Sequence, residues 1–212
     1  MSDTLEKISK AVIEGDVGSI GMLTELALSQ GLTPKDILDN GLMPGMDYVG
    51  VEFRKGNMFV PEVLLSARAM QASMDIIRPL LAETGAELRG KAVMGTVQGD
   101  LHDIGKNLVC MMMEGAGFEI IDLGTDVAPE AFVETVKKEQ PDIVGMSALL
   151  TTTMRSMDRT IQALEEAGVR ESVKVMVGGA PVTSDFATQI GADGYASNAP
   201  AAADLAKQFV GK

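Results

Sequence analysis

The second half of the chain alternates between short apolar runs and amphipathic segments, and this alternation restricts the fold more than any other feature. From residue 91 onward, each run of strand length is followed by a segment with helical periodicity. Continuous apolar strands that alternate with helices are typical of a parallel sheet covered on both faces. We therefore predict an α/β fold with a five-stranded, doubly wound parallel sheet, flavodoxin-like or Rossmann-like. The predicted strands are 92–97, 118–123, 143–147, 173–177 and 194–196.

The first 83 residues show helical periodicity instead, with apolar side chains on one face at Ile20, Leu23, Leu26 and Ala27. The stretch Thr33-Pro34-x-Asp36 has the residues of a helix start, with Thr33 as the N-cap. These patterns predict a small bundle of four or five helices. Residues 83–90 are polar and aperiodic, which indicates a linker. We predict a helical domain of residues 1–88 and a sheet domain of residues 89–212.

Composition excludes several kinds of partner. The net charge of −12 disfavours nucleic acid and anionic membrane surfaces, because both repel acidic proteins. No apolar run approaches the roughly 18 residues that a membrane span needs, and the N-terminus lacks the pattern of a secretion signal. A single cysteine, Cys110, cannot form an internal disulfide. We therefore expect a cytoplasmic protein with Cys110 and most of its 15 methionines in the core.

The only histidine, His102, lies between the first predicted strand and the next helix, with Asp100 and Asp103 beside it. A metal-bound imidazole donates its far ring N–H to an acceptor, and Asp100 is close enough in sequence to accept it. An ordinary loop imidazole bonded to its neighbours is an equally open interpretation. Zinc fits poorly, since it needs three or four ligands. A metal held mostly by its own macrocycle needs only one protein ligand, which fits.

Two further motifs follow predicted strands and should reach the same edge of the sheet, where doubly wound folds bind ligands. Ser147-x-Leu149 and the threonines at 151–153 follow the third strand, and Gly178-Gly179 follows the fourth. A helix N-cap cluster and an ordinary turn are the simpler interpretations. The spacing of the glycines around His102 does not fit a phosphate-binding loop, and no G-x-G-x-x-G follows the first strand. A receiver domain would need an aspartate at Ser147.

Together, Asp100-x-His102-x-x-Gly105, Ser147-x-Leu149 and Gly178-Gly179 form a specific combination. By these motifs the chain resembles the corrinoid proteins of anaerobic methyltransferase systems and the cobalamin-binding part of methionine synthase. The resemblance covers nearly all 212 residues. The N-terminal half is similar to the helical cap of that family at residues 41–46 and 53–63.

The resemblance implies a bound cobalamin whose benzimidazole is displaced (base-off), with His102 as the lower axial ligand to cobalt. Asp100 would hold the other ring nitrogen. Thr153 stands where methionine synthase has a serine that extends this series of hydrogen bonds. Phe59 would form a lid over the upper face. Pro44 stands near the position of an acidic cap residue of methionine synthase. No catalytic residue is implied. The implied cofactor-binding residues are Gly99, Asp100, Leu101, His102, Asp103, Gly105, Ser147, Leu149, Thr151, Thr153, Gly178, Gly179, Ala199, Phe59, Met58, Val63 and Met70.

The resemblance also implies a function, that of the methyl-carrier subunit of a multi-component system. Cobalt(I) would accept a methyl group from a substrate-specific methyltransferase, and methyl-cobalt(III) would be presented to a second methyltransferase with a thiol or folate acceptor. A reductive activase is the third implied partner. The helical half would shield the cobalt and swing aside, with residues 83–90 as hinge. A cobalamin-dependent sensor and the small subunit of a cobalamin-dependent mutase are the alternatives.

Overall fold

The structure, a computed structural model, describes residues 3–84 and 88–211. Its internal contacts divide the chain into two compact units. The first comprises Met1–Leu88 and Gly115–Gly117, and the second comprises Arg89–Glu114 and Phe118–Lys212. Within the two described ranges, no helix combines the length and the apolar character needed to cross a bilayer.

The first unit is helical, as predicted. Thr33 caps a helix in the expected way: its hydroxyl accepts from the Asp36 N–H, and the Asp36 side chain accepts from the Thr33 N–H. A π-helical turn, Leu38–Leu42, follows that helix without a break. The helices are α1 (Asp3–Glu14), α2 (Val17–Ser29), α3 (Pro34–Ile37), α4 (Met43–Arg54) and α5 (Val60–Thr84).

The predicted buried face of α2 is partly wrong, because Leu26 is 46% exposed. The buried stripe instead contains Ile20, Thr24 and Ala27. Thr24 is accommodated because its hydroxyl bonds to the Ile20 carbonyl and to the Ser73 hydroxyl of α5. Since nearly every residue of α2 is apolar or small, its sequence carries little information about which face is buried.

The second unit contains the predicted five-stranded parallel sheet, so the predicted fold class is confirmed. The strand order is β2-β1-β3-β4-β5, which places the reversal of strand order between β1 and β3. The register pairs Thr96 with Ser147 and Ser147 with Gly178, so three strands end level with one another. The strands are β1 (Gly90–Thr96), β2 (Phe118–Asp122), β3 (Ile143–Ser147), β4 (Lys174–Gly178) and β5 (Gly194–Ala196).

Helices connect the strands of this sheet, as the alternating pattern predicts. One face of the sheet packs on a core built around Phe132, which is fully buried and sits against Gly95 of β1. At the sheet edge, Gly194 of β5 lies against Leu205 and Phe209. A 3₁₀ turn, Arg170–Ser172, precedes β4. The helices are α6 (Ile104–Gly115), α7 (Pro129–Glu139), α8 (Met154–Glu166), α9 (Ser184–Gln189) and α10 (Ala199–Phe209).

The predicted linker at 83–90 is shorter than expected. Helix α5 continues to Thr84, and Gly90 is already the first residue of β1. Residues 85–87 of the predicted linker, which carried the hinge expectation, lie outside the described residues. The domain boundary between residues 88 and 89 stays a prediction.

Candidate cofactor-binding site

The loop that carries His102 begins where β1 ends, beside the reversal of strand order. The Val97 N–H donates to the Ser147 carbonyl at 3.0 Å, so the loops after β1 and β3 start side by side. Gly99 makes the turn with a positive φ of 86°, a conformation that glycine adopts at little cost. The Thr96 hydroxyl donates to the His102 carbonyl at 2.9 Å and closes the loop. Residues 97–103 thus form a short, well-bonded loop at the ligand-binding edge of the sheet.

The centre of this loop is the Asp100 carboxylate, which has no solvent exposure. Its Oδ1 accepts from the His102 N–H at 3.1 Å and from the His102 Nδ1 at 2.7 Å. Its Oδ2 accepts from the Thr153 hydroxyl at 2.7 Å. The same oxygen accepts from the Leu149 and Leu150 N–H groups at 2.8 and 3.2 Å. One buried carboxylate therefore joins the loop after β1 to the loop after β3.

These bonds determine the charge of Asp100. Burial by itself would raise the pKa of the Asp100 carboxyl, since it disfavours the charged form. Hydrogen bonds from Thr153, His102 and the Leu149 N–H outweigh burial, and the pKa lies well below the usual value for an aspartate. The group is therefore a carboxylate at neutral pH, and it can only accept hydrogen bonds.

The His102 imidazole is oriented by this carboxylate. Because Asp100 only accepts, Nδ1 carries the proton and donates it. No described residue bonds to Nε2, and half of the imidazole side-chain surface is exposed. In the neutral imidazole this leaves Nε2 to offer its lone pair, which is the arrangement of a metal-ligating histidine.

The donor set suits a metal that brings most of its own ligands. Among the described residues, no group of three or more His, Cys, Asp or Glu side chains could hold a bare metal ion. A single oriented imidazole is enough for a metal already held by a macrocycle. The residues present therefore fit cobalamin and do not fit a zinc site.

Exposed apolar residues lie in the two loops that Asp100 joins. Leu101 is 73% and Ile104 is 79% exposed, directly on either side of His102 and Asp103. Leu149 and Leu150, whose N–H groups bond to Asp100, are also exposed. A Cβ at Gly105 would meet nothing within 4 Å. An open surface with several large apolar residues marks a site for another molecule.

The glycine pair after β4 has a packing role in the structure. A Cβ at Gly179 would lie 1.9 Å from the Ala148 carbonyl oxygen, and Gly179 has a positive φ of 123°. A Cβ at Gly178 would lie 3.0 Å from the Ala196 carbonyl oxygen. Both glycines therefore allow neighbouring strand ends to approach closely, whether or not a ligand touches them.

The other residues predicted for the second unit lie at the same ends of the strands. Ser147 is the half-buried last residue of β3, and Thr151 is exposed in the loop that follows. Asp103 is exposed, and its carboxylate accepts from the Asn107 amide at 3.1 Å. Ala199 is buried at the start of α10. Their contact with a cofactor stays a prediction.

The four residues predicted for the cap belong to the first unit. Phe59 is 66% exposed, and its N–H donates to the Glu62 carboxylate at the start of α5. Met58 is half-buried, whereas Val63 and Met70 are buried. An exposed aromatic side chain is available for a ligand, so Phe59 is the strongest of the four. Their role at the upper face stays a prediction.

Besides Thr96, sequence reasoning missed three further residues that hold the loop. Leu150 bonds to Asp100 through its backbone N–H, which no side-chain pattern reveals. The buried Ser156 hydroxyl of α8 donates to the Gln98 carbonyl at 3.0 Å. The Asp126 carboxylate accepts from the Gly99 N–H at 2.7 Å. Of these, only Asp126 leaves a trace in sequence, as an aspartate in a glycine-containing loop after an apolar strand.

Cys110 is buried in α6, as predicted. Burial raises the pKa of the Cys110 thiol to about 12, so the thiol is protonated at neutral pH. A protonated, buried thiol is neither a metal ligand nor a nucleophile.

Comparison with known proteins agrees with this geometry. Two family models, each described as a B12 binding domain, match residues 4–78 and 90–204. A corrinoid protein of Desulfitobacterium hafniense is 42% identical over 211 residues, covering 98% of each chain. Dimethylamine corrinoid protein 1 of Methanosarcina acetivorans is 43% identical over 209 residues, again covering 98% of each chain.

Two solved structures are similar to this one over almost the whole chain. A chain of the methanol:cobalamin methyltransferase complex of Methanosarcina barkeri has a TM-score of 0.88 and 31% identity. That match covers 99% of this chain and 80% of the other. A cobalamin-binding protein of Desulfitobacterium hafniense has a TM-score of 0.78 and 34% identity, covering 97% and 98% of the two chains.

Proposed function

The chain belongs to the B12-binding corrinoid proteins of anaerobic methyltransferase systems, and from that membership we propose that His102 ligates the cobalt of its cobalamin. Its function is that of a methyl carrier, like the dimethylamine and trimethylamine corrinoid proteins that it resembles. None of the relatives reported above favours the sensor alternative. Bound cobalamin supplies a metal centre that accepts and releases a methyl group.

One observation carries the ligand assignment: the imidazole Nδ1 bonds to the buried Asp100 carboxylate, while no described residue bonds to Nε2. A carboxylate that bonds to one nitrogen of a ligating histidine fixes the ring orientation. It also makes the other nitrogen a better electron-pair donor to the metal. Thr153 and two backbone N–H groups hold that carboxylate in place from the loop after β3. We propose that binding displaces the cofactor's own benzimidazole in favour of His102.

The apolar residues beside the imidazole have a second task in this proposal. Leu101 and Ile104 would pack against the macrocycle and limit access of water to the metal–imidazole bond. Ser147, Leu149 and Thr151 would accommodate the displaced nucleotide tail. The partner methyltransferases would supply and remove the methyl group, so we propose no catalytic residue in this chain.

The partners are methyltransferases. A chain similar to this one is part of a solved methanol:cobalamin methyltransferase complex. We propose two separate methyltransferases, one that loads the methyl group and one that passes it to a thiol or folate, and a reductase that restores oxidised cobalt.

The visible spectrum of the reconstituted protein tests the ligand assignment. Purified apoprotein is loaded with cobalamin as wild type, His102→Ala and Gln98→Ala, the last being an exposed residue of the same loop. We expect wild type and Gln98→Ala to share a histidine-ligated spectrum, and His102→Ala to bind weakly or to keep the benzimidazole on cobalt. An unchanged spectrum in His102→Ala would remove this residue from the proposed role.

A further inference from the structure

Asp126 has an unusual backbone conformation. It lies in the loop between β2 and α7, and its φ of 55° places it in the left-handed region. Few residues other than glycine adopt this region, and such conformations cost about 1–3 kcal/mol unless the surroundings impose them. Aspartate and asparagine tolerate it best. The position therefore needs an explanation in the contacts of Asp126.

Those contacts all reach the turn just before His102. The Asp126 Oδ1 accepts from the Gly99 N–H at 2.7 Å. In the opposite direction, the Asp126 N–H donates to the Asp100 carbonyl at 2.9 Å. The next residue, Val127, forms an isolated parallel bridge with Val97. Asp126 thus bonds to the turn through both its side chain and its backbone.

This contact joins two residues with a left-handed backbone, Asp126 and Gly99. Gly99 also has a left-handed backbone, with a φ of 86°. Its N–H and the Asp100 carbonyl lie on either side of the Gly99–Asp100 segment, and both bond to the same residue. Asp126 therefore fixes the main chain of Asp100, whose side chain in turn fixes the imidazole.

We propose that Asp126 is a positioning residue that sets the direction of the His102 imidazole by holding the Gly99–Asp100 backbone. The inference depends on the proposed role of His102 as the cobalt ligand. It adds a third residue behind that ligand, supplied by the loop after β2. The loops after β1, β2 and β3 would then together fix the position of the His102 Nε2 atom.

Three variants separate the carboxylate from the backbone conformation. Asp126→Gly keeps the left-handed backbone without steric strain and removes the acceptor for the Gly99 N–H. Asp126→Asn tolerates the same backbone, and its amide oxygen can still accept from Gly99. Asp126→Ala removes the acceptor in a second way, should the glycine variant not fold. Thr125→Ala, in the same loop, is the matched control.

Two measurements read the position of the imidazole. In the apoprotein, ¹⁵N NMR reports the Gly99 amide and the His102 ring, which gives unambiguous signals because the chain has one histidine. In the cobalamin-loaded protein, cofactor affinity and the electron paramagnetic resonance spectrum of the Co(II) form report the axial nitrogen. Thermal unfolding of each apoprotein shows that the variants are folded.

We expect Asp126→Gly to shift the Gly99 amide and His102 ring signals and to weaken cobalamin binding about tenfold, the lower end of the range for residues behind a metal ligand. Asp126→Asn and Thr125→Ala should stay within about twofold of wild type, as expected when the acceptor is retained or untouched. Wild-type ring signals and affinity in Asp126→Gly would overturn the inference, as would an asparagine variant as impaired as the glycine variant. Failure of the proposed function is recognised separately, since wild-type protein would then lack a histidine nitrogen on cobalt.

Discussion

At the scale of single residues, Asp100 explains how the only histidine of the chain is held in one orientation. A buried carboxylate is costly unless its oxygens are satisfied, and here five donor groups satisfy them. Four of those donors lie outside the imidazole ring, so the carboxylate stays in place whether or not the ring is engaged elsewhere. The ring can therefore bind a metal without dismantling the loop.

Thr153 tests how much this support contributes. Thr153→Val removes the hydroxyl that donates to Asp100 but keeps the shape of the side chain. We expect it to lower the free energy of unfolding of the apoprotein by about 1–3 kcal/mol, since a buried charged acceptor loses a donor. Thr153→Ser keeps the hydroxyl and should cost less than half as much. Urea titration compares the two variants, and equal losses in both would show that the Thr153 hydroxyl does not stabilise the Asp100 carboxylate.

The pairing of Asp100 with His102 could be predicted because the two residues are separated by only one position. The contributions of Leu149 and Leu150 could not, since they come from backbone N–H groups and depend on strand register. Asp126 is 27 positions from Gly99, and its role depends on a backbone angle. Local spacing thus predicted the pairing of Asp100 with His102, whereas the remaining support of the loop depends on tertiary contacts.

At the scale of elements, the ends of the strands set the geometry of the site. Gly179 shows this most directly, because any Cβ there would meet the Ala148 carbonyl oxygen of the loop after β3. The glycine pair follows from chain packing, which the sequence pattern alone could not distinguish from ligand contact. Helix α2 shows the opposite limit: its almost uniformly apolar sequence led to the wrong prediction for Leu26.

Gly179→Ala is therefore expected to be strongly destabilising. The new Cβ would overlap the Ala148 carbonyl oxygen, and the left-handed backbone adds further strain. We therefore expect the free energy of unfolding to fall by more than about 3 kcal/mol. The matched control is Gly168→Ala, where φ is 70° but a Cβ would meet nothing within 4 Å. The free energy of unfolding of that variant should fall by only about 1 kcal/mol. Similar losses by urea denaturation in both variants would contradict the packing explanation.

Asp193 gives a pH-dependent prediction for the β4–β5 edge. Its carboxylate accepts from the Val175 N–H at 2.8 Å, from Arg170 at 2.7 Å and from Lys174 at 3.1 Å. Burial alone would raise the pKa of Asp193, but the bonds from Val175, Lys174 and Arg170 lower it below its ordinary value. A lowered folded-state pKa stabilises the fold above the unfolded value of about 3.9, and this is lost as pH falls through the folded pKa.

We therefore expect Asp193→Asn to cost about 1–2 kcal/mol at pH 7, because charge-assisted bonds are weakened. The difference from wild type should shrink as pH falls below about 4, because the Asp193 carboxylate of the unfolded wild-type chain takes up a proton there before the folded one does. Urea unfolding of both proteins at pH 7, 5 and 3.5 measures this difference in the free energy of unfolding. A difference that is constant across this range would show that the charge of Asp193 does not contribute.

At the scale of the whole molecule, the order and alternation of elements were predictable because parallel sheets impose continuous apolar strands and right-handed crossovers. The same rules predicted that the loops after β1 and β3 meet, as Asp100 and Leu149 do. The net charge of −12 is consistent with a protein that avoids nucleic acid, but it does not select a partner.

Cofactor loading should stabilise the whole protein through linkage. A ligand that binds only the folded state adds about 2.7 kcal/mol when present at 100 times its Kd. We expect cobalamin to raise the thermal unfolding temperature of wild type and of Gln98→Ala, and to raise that of His102→Ala much less. Calorimetry at one fixed cobalamin concentration compares the three. An equal increase in His102→Ala would mean that the metal–imidazole bond adds little to binding.

Isotope labelling tests the proposed bond between His102 and cobalt directly. Protein made with ¹⁵N-histidine is loaded with cobalamin, reduced to the Co(II) form and measured by electron paramagnetic resonance. An axial ¹⁴N ligand splits each cobalt line into three and a ¹⁵N ligand into two. Since the chain has a single histidine, we predict that labelling converts the triplets to doublets. Triplets that persist in the labelled protein would mean that another nitrogen, such as that of the benzimidazole, occupies the lower position.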